Sequence, residues 1–132
     1  KCASCHTEPL FTNNAFTSNG LKPDSTLNDI GRAKITGKKE DNYLYKVPTL
    51  RNIEMTYPYM HDGRYRKLKD VLNFYGTAEN HSSTADPKIT KIGKLSFEEK
   101  RDLILFLLAL TDKEFLYDRR FVDPNLEKVK QN

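Results

Sequence analysis

Two cysteines three positions apart, Cys2 and Cys5, stand at the start of the sequence and are followed at once by His6. This C-x-x-C-H spacing is typical of covalent haem attachment, in which both thiols bond the porphyrin and the imidazole ligates its iron. The motif therefore predicts one haem c, tethered by Cys2 and Cys5 and ligated by His6. The rest of the chain is then expected to fold around that group.

The same two cysteines fit two other kinds of site less well. A structural zinc site needs four ligands, usually in two pairs, and the remaining histidines, His61 and His81, form no second pair. A redox dithiol would open a helix within an alternating pattern of strands and helices, which this chain does not show. A zinc module is therefore the less favoured interpretation.

Length and charge narrow the class of protein. The 132 residues, 37% hydrophobic and 30% charged, predict a single domain over residues 1–132. No run of about 18 apolar residues predicts a membrane span. The formal charge of +4 comes from Lys and Arg scattered among 18 acidic residues. We therefore expect no nucleic-acid partner, and at most electrostatic steering of an acidic redox protein.

Most of the chain is predicted to be irregular. Residues 7–45 are rich in polar and turn-forming types, so they predict a long ordered loop wrapped around the porphyrin. One short helical turn is expected within residues 27–35. Residues 43–50 should be extended, because a proline biases the residue before it away from helical backbone. The fold class predicted is all-α, cytochrome c-like, with few helices and long ordered loops.

A first helix is predicted over residues 66–75, with Gly76 as its C-terminal cap. Its apolar residues recur at helical spacing and form one stripe. The members of that stripe are Leu68, Val71, Leu72 and Tyr75. Tyr75 is therefore expected to point inward.

A second helix is predicted after Ser96, because Ser96 and Glu99 have the spacing of a capping box. The following residues 103–110 are apolar almost without interruption, so this helix is expected to be well buried. The tail from Phe115 to Asn132 is expected to wrap the surface before fraying.

Residues 47–53 and 56–64 resemble a known protein family more specifically than the haem motif alone does. Together with residues 2–7, 9–12, 95–112 and 121–124, they resemble the C-terminal haem domain of the bacterial di-haem cytochrome c peroxidase and MauG family. The resemblance implies a periplasmic oxidoreductase, of which an N-terminal haem domain and the helix before the haem motif are missing here.

In that family the present domain would be the electron-transfer half. It would take electrons from a small redox donor protein and relay them to a peroxide-reducing haem on the absent domain or on a companion chain. The alternative is a free-standing mono-haem electron carrier without catalysis of its own.

The sixth ligand of the iron has two candidates. Tyr75 occupies the position where the peroxidase branch has a methionine and where MauG relatives have a ligating tyrosine. Met60 is the alternative, because methionine is a common sixth ligand that raises the haem potential. The resemblance favours Tyr75, whose phenolate would stabilise ferric iron instead.

Further cofactor contacts are expected around the aromatic motif. The resemblance implies a calcium ion bound by the backbone carbonyls of Thr56 and Pro58. Arg51 and Arg64 flank the motif, and a guanidinium that pairs with a haem propionate would orient the cofactor. His61 could bond a propionate near the haem edge, or it could be an ordinary turn residue.

Overall fold

The computed structural model describes residues 1–77, 82–90 and 92–122. The helices and strands in this part of the chain are β1 (Phe16–Thr17), α1 (Ala33–Thr36), β2 (Tyr45–Lys46), α2 (Leu68–Tyr75), α3 (Pro87–Thr90), α4 (Phe97–Ala109) and α5 (Lys113–Tyr117). Short 3-10 turns lie at Cys2–Ser4, Lys39–Asp41, Ile53–Met55 and Arg119–Phe121. The helices are few and the connections long, as predicted.

A two-stranded antiparallel sheet departs from the all-α class. Phe16 pairs with Lys46 and Thr17 with Tyr45. The N–H of Val47 donates to the carbonyl of Ala15 at 2.8 Å and extends the pairing by one more bond. The extended backbone predicted before Pro48 is therefore used as a strand, and the all-α class is not confirmed. The sheet brings residues 45–47 beside the N-terminal loop.

Helix α2 buries residues on more than one of its faces. Leu68 and Leu72 are buried as predicted, but the most deeply buried side chain is Phe74, which lies off the predicted stripe and is 2% exposed. Gly76 ends the helix, yet its φ of −81° is right-handed. A Cβ there would lie 3.2 Å from the carbonyl oxygen of Leu72. The glycine therefore serves close packing at this helix end.

Helix α4 begins as predicted. The Ser96 hydroxyl accepts from the Glu99 N–H at 3.1 Å, and the Glu99 carboxylate accepts from the Ser96 N–H at 2.7 Å. This reciprocal pair satisfies two backbone donors that the first helical turn leaves free.

The predicted burial of α4 is wrong. None of its residues is buried, and Phe97, Leu105 and Phe106 are 77%, 58% and 49% exposed. The helix packs against α2 and the 3-10 turn at residues 53–55. Because α4 is apolar around much of its circumference, these two contacts cover only part of its apolar surface in the part of the chain that the structure describes.

The remaining core residues of low exposure come from loops as well as helices. They include Leu21, Ala33, Val47 and Ile89. In the described ranges, no helix has both the length and the apolar character needed to cross a membrane. His81 and residues 123–132 of the tail lie outside the described residues.

Candidate haem site

A cavity of about 310 Å³ lies beside the N-terminal motif. Cys5, His6, Met60, His61 and Tyr75 all contribute to its wall. A smaller pocket of about 70 Å³ shares Cys5, His6 and Tyr75 with it and is also lined by Cys2. The structure therefore brings the haem motif together with both candidate sixth ligands and His61.

The His6 ring is held in one orientation. Its Nδ1 lies 3.1 Å from the carbonyl oxygens of both Phe11 and Pro48. Both neighbours are acceptors, so Nδ1 carries the proton and donates it, which leaves the Nε2 lone pair free to bind a metal. Burial lowers the pKa of His6, although the two carbonyls oppose that shift. The imidazole is thus kept in the neutral form that ligates iron.

The two thiols of the motif are available for bonding. Cys2 is exposed, Cys5 is half-buried, and neither is in a disulfide. The 3-10 turn closes through bonds from the N–H groups of Cys5 and His6 to the Cys2 carbonyl, at 3.2 and 2.9 Å. Two free thiols, an imidazole with Nε2 free and an adjacent cavity form a donor set that fits a covalently attached haem.

The two candidate sixth ligands share one polar neighbour. The amide Nδ2 of Asn19 lies 3.4 Å from Met60 Sδ and 3.5 Å from the Tyr75 hydroxyl oxygen. Burial raises the pKa of the Tyr75 phenol, while the bond from Asn19 lowers it. The Met60 backbone has a φ of 72°, a left-handed conformation that an L-residue rarely adopts.

His61 and Tyr45 both line the cavity wall, and Asp29 contacts His61; the sequence predicted a role for neither Tyr45 nor Asp29. Its ring stacks on Tyr45 at a centroid distance of 3.8 Å, and its Nδ1 lies 3.1 Å from Asp29 Oδ2. The Tyr45 hydroxyl donates to the Asp29 carbonyl at 3.3 Å. Burial raises the pKa of Tyr45 to about 12. Asp29 lies 32 positions before His61 in the chain, so no local pattern could have linked them.

Arg51 and Arg64 do not line the cavity. Arg51 donates to the carbonyl of Pro9 at 2.9 Å. Arg64 pairs through Nε with the Asp62 carboxylate at 2.7 Å and also donates to the Lys22 carbonyl. Nearer acceptors therefore engage both guanidinium groups, and their pairing with propionates stays a prediction.

Thr56 and Pro58 lie in an exposed loop after the 3-10 turn at residues 53–55. Among the residues that the structure describes, no three His, Cys, Asp or Glu side chains form a group that could hold a metal ion. Calcium binding through the Thr56 and Pro58 carbonyls would not require such a group, and it stays a prediction.

Comparisons with known proteins point to one group of oxidoreductases. No protein-family model matches the sequence. The chain is 37% identical over 93 residues to Cytochrome c551 peroxidase of Nitrosomonas europaea, a match that covers 69% of this chain and 28% of that protein. It is 37% identical over 113 residues to Methylamine utilization protein MauG of Methylorubrum extorquens, covering 83% of this chain and 30% of that protein.

Solved structures show the same likeness. A MauG-like protein associated with microbial copper homeostasis superposes with a TM-score of 0.80 at 28% identity, covering 93% of this chain and 46% of that one. A variant of the diheme peroxidase BthA from Burkholderia thailandensis shares the fold, with a TM-score of 0.68 at 19% identity. The chain spans less than a third of the length of the Nitrosomonas europaea peroxidase and of the Methylorubrum extorquens MauG protein.

Proposed function

Because this chain belongs to the family of bacterial cytochrome c peroxidases and MauG proteins, we propose that it is the electron-transfer haem c domain of such a di-haem oxidoreductase. The main support for this proposal is the environment of His6. Its Nδ1 is hydrogen-bonded to two backbone carbonyls, and its ring lies at the cavity near two cysteines that form no disulfide. In this proposal the chain acts in the periplasm, with a small redox protein as donor and a second haem domain as acceptor.

Each residue of the site has one task. Cys2 and Cys5 would form the thioether bonds and His6 would ligate through Nε2, while the carbonyls of Phe11 and Pro48 hold the His6 ring. The haem, when bound, supplies an iron that changes between ferric and ferrous states. The apolar residues of the cavity wall, such as Val47, Leu50 and Val71, would limit the access of water to a haem bound there, so that charge changes would be felt more strongly than in solvent.

The first experiment tests covalent attachment. The chain is expressed in a periplasm with the haem-attachment machinery, purified and denatured, and its mass and free thiols are measured. We expect the mass to increase by one haem, with no thiol open to alkylation. A variant with Cys2→Ala and Cys5→Ala is the control and should be colourless. A colourless parent protein with two reactive thiols would overturn the proposed function.

The second experiment identifies the sixth ligand, which we propose to be Tyr75. Tyr75→Phe removes one oxygen and keeps the ring, so the ferric spectrum should lose its phenolate-to-iron absorption. Met60→Leu keeps a similar volume and should leave that spectrum nearly unchanged. The reverse pattern would assign Met60 as the ligand.

The third experiment separates relay from catalysis. The haem-loaded chain should accept electrons from a reduced small cytochrome but should not turn over hydrogen peroxide by itself. Restored turnover on adding a domain with a second haem c would support the relay role. Peroxide turnover by the isolated chain would contradict it.

A further inference from the structure

The side-chain amide of Asn19 lies within reach of both competing ligand atoms. Its Nδ2 lies 3.4 Å from Met60 Sδ and 3.5 Å from Tyr75 Oη, and all three residues line the same cavity. An amide nitrogen carries two hydrogens, so it can donate to both atoms at once. Sequence reasoning had assigned Asn19 no role.

The direction of the Asn19 amide is set by its own loop. Its Oδ1 accepts from the N–H of Leu21 at 3.0 Å, so the acceptor end is occupied and the donor end faces the cavity. The loop is anchored on both sides of Asn19. The Asp86 N–H donates to the Ser18 carbonyl at 2.9 Å, and the Ser82 N–H donates to the Gly20 carbonyl at 2.7 Å.

Building on the proposed function, we infer that Asn19 is a positioning residue that decides between Tyr75 and Met60 as the sixth ligand of the iron. A hydrogen bond to a charged phenolate is stronger than one to a neutral thioether. A donor held between the two atoms therefore favours the state in which Tyr75 is bound.

The test removes the donor and keeps the loop. In Asn19→Ser the serine hydroxyl can still accept from the Leu21 N–H. The variant has no side-chain amide, so it lacks the donor that faces Met60 and Tyr75. The matched control is Asn13→Ser, because the exposed Asn13 makes the same kind of bond to the N–H of Ala15 at 3.0 Å. Both variants should keep the circular dichroism of the parent haem-loaded chain.

The readouts are the ferric absorption spectrum and the reduction potential. Asn19→Ser should lower the ratio of tyrosine-ligated to methionine-ligated iron by about tenfold. The phenolate-to-iron absorption should fall and the potential should rise, because thioether ligation favours ferrous iron. Asn13→Ser should change neither quantity.

A second variant shows whether the change is a competition between the two ligands. Adding Met60→Leu to Asn19→Ser removes the competitor, so the tyrosine-ligated spectrum should return. Full phenolate absorption in Asn19→Ser, its absence from the parent, or no recovery in the double variant would each overturn the inference. These results leave covalent haem attachment intact, whereas a colourless parent overturns the proposed function as well.

Discussion

Replacing Phe74 with alanine should strongly destabilise the fold. The side chain is 2% exposed, and its ring meets the Tyr75 ring edge-on at 5.1 Å and the Tyr65 ring at 6.4 Å. Burying a phenylalanine contributes about 1.5–3 kcal/mol. The cavity left behind adds to this, so Phe74→Ala should cost about 3–5 kcal/mol. That is a large share of the roughly 5–15 kcal/mol by which a domain is stable.

The assay is equilibrium unfolding in urea, followed by circular dichroism. Phe97→Ala on α4 is the matched control, because the same change is made where the side chain is 77% exposed. It should change the free energy of unfolding by no more than about 0.5 kcal/mol. The midpoint of Phe74→Ala should fall without a change in the denaturant dependence. Equal losses in the two variants would refute the assignment of Phe74 to the core.

Three further outcomes follow from local geometry. The pKa of Asp29 is lowered, mainly by its bond from the Gly31 N–H and also by His61. The ionised Asp29 carboxylate therefore stabilises the fold at pH values above its ordinary pKa of 3.8. This stabilisation is lost as the pH falls through the lower pKa of the folded state. In acid titrations followed by circular dichroism, the parent should lose stability below about pH 4. Asp29→Asn should be less stable than the parent at pH 7, and it should lose less stability than the parent below about pH 4. Ser96→Ala should cost about 1 kcal/mol in urea unfolding, and no loss would argue against the capping box. Gly31→Ala should cost more than Gly37→Ala, because both have positive φ but only Gly31 would place a Cβ 2.7 Å from a backbone oxygen; thermal melts that rank them the other way would contradict this packing.

Local sequence signals predicted the features that depend on neighbouring residues. The capping box at Ser96 and the end of α2 at Gly76 were found because their partners lie within four positions in the chain. The exposure of α4 was not predicted, since an apolar helix indicates a packing partner without showing that the fold covers each apolar face. Phe74 was missed for a related reason: α2 has neighbours on more than one side, so a single stripe does not describe its buried face.

The site likewise combines features that neighbouring residues set with features that depend on tertiary packing. The sequence alone predicted the attachment chemistry, because Cys2, Cys5 and His6 stand at the spacing of a haem motif within one turn. Only the tertiary structure decided that Met60 and Tyr75 meet at Asn19, and that Asp29 holds His61 against Tyr45. Such contacts join side chains from distant segments, and they exist only after the loops have been brought together by the burial of a shared core.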